Sequence, residues 1–189
     1  MPNYSAVSGS PFNAADYNAN VRDQVVTTCT SATRPTGTEG QFIYETDTDR
    51  GYYYNGGWQV WFIPPTSYTP AIVQSGAVTK TVTFAQYHQL FRTVHVNFSL
   101  AVTGSGTGSN IITISLPVNA AASQGELGIA QLYDASATTR YVSCAEYYTA
   151  STFILTHDTS GANGLGAGGF TAGLASGDGL AGSLTYIAA

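Results

Sequence analysis

The sequence predicts a mostly β protein: a short N-terminal helix, a small aromatic β-meander and a C-terminal eight-stranded antiparallel sandwich of jelly-roll type. Three observations lead there. Val94, Val96, Phe98, Leu100 and Val102 alternate without a break against His95, Asn97, Ser99, Ala101 and Thr103, the period of a strand with one buried face. Similar short runs recur from Ser67 to the C-terminus, separated by Gly and Ser turns, with no helical pattern between them. The chain is 43% hydrophobic, enough for a core, yet only 9% charged.

Residues 1–33 read as an arm and a helix. In "NAADYNANVRDQVV", Asn13 is placed to cap the helix and Asp16 lies near the positive end of its dipole. Ala14, Tyr17, Val21 and Val25 form a thin apolar stripe, so a helix this short is marginal in water and is expected to dock as an attachment element. "TTCTSATRPTGTEG" reads as loop.

Residues 34–65 form the aromatic module, with strands "QFIYE", "YYYN" and "WQVWF" joined by "TDTDRG" and "GG". Large rings supply the core that so small a meander lacks. Tyr52, Tyr54, Trp58 and Trp61 are its candidate contact patch. Pro64 and Pro65 are expected to end the module as a stiff linker.

Residues 66–189 carry eight strand candidates: "TPAIVQS", "VTKTVTFAQY", "RTVHVNFSLAVT", "IITISLPV", "ELGIAQLY", "RYVSCAEYY", "TFILTHD" and "AGSLTYIA". Between the last two lies a stretch, Ser160 to Gly179, with eight of the 21 glycines, too long for an ordinary hairpin loop.

The composition excludes several functions. One Lys, five Arg and a net charge of −5 leave no cationic cluster for nucleic acid. No apolar run approaches the roughly 20 residues of a membrane span. The first residues show neither a basic head nor an apolar run, so no secretory signal is expected, and Cys29 and Cys144 are expected as free thiols.

Motifs for chemistry fail on their spacing. Glu45, Asp47 and Asp49 begin like a calcium loop, but Arg50 stands where the turn glycine belongs and Gly56 where the closing carboxylate belongs. "GLGAGG", Gly164 to Gly169, has no helix after it to face a pyrophosphate. His88, His95 and His157 form no H-x-H or H-x-x-x-H pair, and neither cysteine has a near partner. No G-x-S-x-G elbow occurs. No cofactor, metal or catalytic residue is expected.

One stretch carries a resemblance. "TRPTGTEGQFIYETDTDRGYYYNGGWQVW", through Arg34, Pro35, Gly40, Ile43, Tyr44, Thr46, Asp47, Thr48, Tyr52, Tyr54, Gly57 and Trp58, resembles a module of phage tail and fibre proteins. "FNAADYNANVRDQVV", the layout of the C-terminal half and the ending "GDGLAGSLTYIAA" are similar to small minor tail proteins of phages infecting actinobacteria. The resemblance implies a non-enzymatic virion structural protein, assembled in the host cytoplasm and located on the tail or capsid surface. Implied partners are copies of itself in a homotrimer, other virion proteins and a host cell-surface glycan. Nucleic acid and membrane are not implied. A capsid decoration or head-fibre protein would use the same parts. Readings of another class are a carbohydrate-binding module, stacking sugars on Tyr52, Tyr53, Tyr54, Trp58 and Trp61, and a cell-wall depolymerase.

The outward faces of the C-terminal strands are poor in charge, which predicts packing against a copy. Two-fold symmetry would bury those faces as well as three-fold.

Overall fold

Strand-forming sequence becomes strand throughout the described residues, 26–156 and 173–189, of the computed structural model. The chain divides into two units, Met1–Ile63 and Pro64–Ala189. The N-terminal helix with Ala14, Tyr17, Val21 and Val25, the "GLGAGG" motif and His157 lie outside the described residues.

In the first unit, β1 (Thr27–Cys29) runs parallel to β2 (Phe42–Glu45), and β2, β3 (Arg50–Tyr54) and β4 (Trp58–Ser67, whose last four residues belong to the second unit) form an antiparallel meander. The three expected strands are present. Two expectations are corrected. "TTCTSATRPTGTEG" is not all loop: it holds β1 and a 3-10 turn at Ser31–Thr33. Thr30 Oγ1 accepts from Thr33 N at 3.2 Å while Thr33 Oγ1 accepts from Thr30 N at 2.9 Å, a reciprocal cap. A three-residue strand is too short to show a period. Second, Pro64 and Pro65 stand at the boundary between the units, as residues of β4 and not as a separate linker. Fixed φ suits extended backbone wherever the ladder needs no amide hydrogen.

In the second unit the strands are β5 (Ile72–Val73), β6 (Ala77–Val78), β7 (Lys80–Leu90), β8 (Thr93–Val102), β9 (Thr113–Ser115), β10 (Glu126–Asp134), β11 (Thr139–Thr149), β12 (Thr152–Thr156) and β13 (Gly179–Ile187). All eight candidates contain a strand; β6 is an addition. Pairing is antiparallel throughout, in the order β7-β8-β13-β10-β11-β12-β9-β5-β6.

This ladder is folded over. β8 and β12 are four steps apart, roughly 19 Å on a flat sheet at ~4.8 Å per step. Yet the rings of Phe98 on β8 and Phe153 on β12 lie 5.7 Å apart. The two layers meet over a core of Val94, Val96, Leu100, Leu132, Leu155 and Leu184, all buried. The inward residues of β8 are those the alternation selects.

The all-β, sandwich-like class therefore stands, but the jelly-roll pattern does not. A jelly roll needs two Greek keys. The described strands form one: β10, β11 and β12 are joined as a meander, and β13 returns to pair beside β10. Consecutive strands β7 and β8 pair as a hairpin within one layer. On β12, where Ile154 faces away from Phe153 and Leu155, Ile154 is buried within the chain at 8% exposure, so that face does not call for a copy.

Candidate functional site

The acidic triplet of the first unit is wholly engaged in local structure. Glu45, at the end of β2, is fully buried, and its Oε1 accepts from Arg34 Nε at 2.7 Å and its Oε2 from Thr48 Oγ1 at 2.9 Å. Asp47 accepts from the amide and hydroxyl of Ser31 at 2.9 and 2.6 Å. The Ser31 hydroxyl, followed by its amide, holds that carboxyl below the usual range. Asp49 accepts from Tyr44 Oη at 3.0 Å, and that bond raises the phenol's pKa. The three carboxylates face different partners, so they do not converge on a cation.

The aromatic patch is divided by its own sheet. Tyr54 and Trp58 are directly opposed across β3 and β4, with ring centroids 5.3 Å apart and edge-on. Trp58 Nε1 donates to Pro35 O at 3.3 Å. Tyr52 lies on the same side under the Arg34 guanidinium, 4.3 Å from its ring centroid. Trp61 sits on the other side, edge-on to Phe42 at 6.1 Å, where Phe42 opposes Tyr53. Gly51 makes room for it, because a Cβ there would lie 2.4 Å from the indole. The four candidates thus pack against neighbours within the unit and do not form one open platform.

The second unit offers a broader surface. Residues alternating with the core face outward from β7, β8, β13, β10 and β11. Across β7, β8 and β13 this face holds no Asp, Glu, Lys or Arg. Instead it carries Gln86, Asn97, Ser99, Ala181, Ser183 and Thr185 with the exposed Phe84. On the neighbouring strands Ile129 is 69% exposed and Val142 66% exposed. Ionised groups enter on β10 and β11, where Glu126 opposes Glu146 and Arg140 stacks on Tyr133 at 5.0 Å. Two shallow hollows of about 200 Å³ adjoin along the face, sharing Gln131 and Ala181 in their linings. One takes in Ser99, Tyr133 and Arg140, the other Ile129 and Val142. The small side chains of β13 create the depression between larger ones on β10.

One pair escaped the sequence reading. His88 on β7 and His95 on β8 are directly opposed, and their rings stack 4.9 Å apart at 22°. His95 Nδ1 is 2.8 Å from Thr185 Oγ1 on β13. The signal that finds the pair is hairpin register. A two-residue turn at Phe91 and Arg92 makes Leu90 oppose Thr93, and His88 then opposes His95. "FR" gives no turn signal, because Phe91 adopts φ 52°, where a glycine or asparagine is usual.

Cys29 and Cys144 are free, and burial raises the pKa of each thiol. Neither is activated as a nucleophile. Among the described residues no group of three or more His, Cys, Asp and Glu is placed to hold a metal, and no helix is long and apolar enough to cross a membrane. No family model, curated protein or solved structure matches the chain.

Proposed function

We propose that the chain is a non-enzymatic structural protein of a phage virion, of the tail or fibre type. It works as a homotrimer, with its N-terminal part attached to the particle and its C-terminal unit turned outward. The observation that carries the oligomeric reading is the outer face of β7, β8 and β13. A sheet face that ends at water usually alternates to charged or strongly polar groups. This one presents uncharged small residues beside exposed Phe84 and Ile129. Burying it against a copy desolvates few ionised groups and opposes no like charges. The virion assignment and three-fold symmetry rest on the resemblance of the Arg34 to Trp58 module to phage tail and fibre proteins.

Light scattering on the full chain tests the oligomeric part. A trimer mass at micromolar concentration is expected, with dissociation in the double variant Ile129→Glu, Phe84→Glu. A monomeric wild type refutes it. Imaging of labelled particles tests location: a few or a few dozen copies on the tail are expected, and hundreds on the shell would make this a capsid decoration or head-fibre protein.

A host-glycan contact is the second reading. Its support is the hollow where Tyr133 and Gln131 adjoin Ser99, a ring beside hydrogen-bonding groups. Binding to host wall sugars on a glycan array, lost in Tyr133→Ala, supports it. Silence across the array removes it, and turnover of those sugars would indicate a depolymerase.

A further inference from the structure

We propose that His88 and His95, brought face to face on the β7–β8 hairpin, form a two-imidazole site for a borderline divalent ion of the copper, nickel and zinc group. Imidazole nitrogen suits these ions better than calcium or magnesium, which take oxygen donors.

The geometry supports a shared ion. The two residues are cross-strand partners, so the backbone holds their side chains on the same side of the sheet. The rings lie nearly parallel, 4.9 Å apart between centroids. The stacked rings hold their lone pairs in nearly parallel planes, so a shared ion requires the exposed His88 ring to turn about its terminal torsion, whose well is broad, until one nitrogen of each lies about 3 Å from the other, the spacing of two ligands at metal–nitrogen bonds of about 2.0–2.1 Å. In the single chain His88 is exposed, so an ion reaches it from solvent without opening the fold; in the proposed trimer this face is shared with a copy, and titration of the Ile129→Glu, Phe84→Glu variant reads the site in the dissociated chain.

The third strand contributes the orienting partner. His95 Nδ1 and Thr185 Oγ1 are 2.8 Å apart, and in the tautomer whose Nδ1–H donates to that oxygen the lone pair of His95 stands on Nε2. Such an outer hydrogen bond fixes tautomer and ring direction in metal-binding histidines. His88 completes the pair, and water fills the remaining positions.

The surroundings neither compete for the ion nor repel it strongly. Facing the pair are Gln86 and Leu90 on β7, Thr93 and Asn97 on β8, and Ser183 and Ile187 on β13, none of them ionised. The nearby Arg92 directs its guanidinium to Ala188 O at 2.8 and 3.0 Å. Without a carboxylate ligand the site keeps the ion's full charge, which favours exchangeable binding over a permanent structural metal. Metal and protons compete for the same imidazole nitrogens, so binding releases protons and weakens on acidification.

The test is calorimetric titration of the tag-free full chain with Cu²⁺, Ni²⁺ and Zn²⁺ separately, at a pH about one unit above the ordinary imidazole value. One ion per chain is expected, with copper tightest. His88→Asn and His95→Asn should each abolish binding, His157→Asn should retain it, and Thr185→Val should weaken it roughly 10-fold. If an Asn variant misfolds, the wild type still decides: Zn²⁺ should shift the ring-proton resonances of two histidines together. Absence of saturable binding below ~1 mM, or binding that survives in a folded His88→Asn, His95→Asn double variant, overturns the proposal.

Discussion

Arg34 and Glu45 form a part-buried ion pair, with the carboxylate fully enclosed and the guanidinium reaching it from the 3-10 turn side of the first unit. The same guanidinium lies over Tyr52, so one residue joins the loop, β2 and β3. Removing it leaves a buried carboxylate without its counter-charge. Arg34→Ala should destabilise the first unit by about 2–3 kcal/mol, below the roughly 3–5 of a fully buried pair because Arg34 is partly exposed. Both tryptophans, Trp58 and Trp61, lie on β4, so their fluorescence during urea unfolding reports this loss. An unchanged midpoint would show that the pair contributes nothing net.

The meeting of Phe98 and Phe153 predicts how the second unit fails. Phe98→Ala should cost about 3–5 kcal/mol by opening a cavity between the layers. Gly182, opposite Phe98 on β13, is constrained from the other direction: a Cβ there would lie 2.8 and 2.9 Å from the ring and 3.0 Å from Ala130. Gly182→Ala should therefore destabilise by about 1–3 kcal/mol through overpacking. Adding Phe98→Leu should recover part of that loss in thermal unfolding. If the two effects simply add, the ring is not what the methyl group meets.

Arg92 ties the β7–β8 turn to the end of β13 through Ala188 O, and Ala188 N donates back to Arg92 O at 2.6 Å. Arg92→Ala should cost about 1.5–3 kcal/mol, the range for hydrogen bonds to a charged group. Hydrogen exchange at Leu90 and Thr93 should accelerate with it. Protection equal to the wild type would place the anchoring elsewhere.

Asp134 gives the second unit an acid-sensitive turn. Its Oδ1 accepts from the Ser136 hydroxyl at 2.7 Å, from Ser136 N at 2.9 Å and from Ala137 N at 3.0 Å. The Ser136 hydroxyl first, then the Ala137 amide, lowers its pKa below the ordinary 3.8. A lowered folded-state value means that the stabilisation is present above the unfolded pKa and is lost as pH falls through the folded one. Asp134→Asn keeps an acceptor oxygen for the same donors but does not titrate. Its stability should fall less than the wild type's as pH drops below about 4. Parallel pH curves for the two proteins would remove Asp134 as the cause.

Period-two alternation on β8, and the runs that become the other seven expected strands, made the all-β class and the inward residues legible in the sequence. Such patterns report which face of a strand avoids water, because burial of alternate side chains is a local demand on the chain. The charge-poor outer face was legible for the same reason. Only the tertiary structure decided which strands pair, because pairing depends on contacts between residues far apart. That is why one Greek key and a folded ladder replace the expected jelly roll. The same limit hid the burial of Glu45, whose partner is eleven residues away across a turn. It also hid His88 facing His95, which follows from a hairpin turned by Phe91 without the usual glycine. The odd spacing of Trp58 and Trp61 already puts them on opposite faces of one strand, but only the fold shows that Trp61 is the extra residue of β4 opposite Gly51 and Tyr52 and that it meets Phe42.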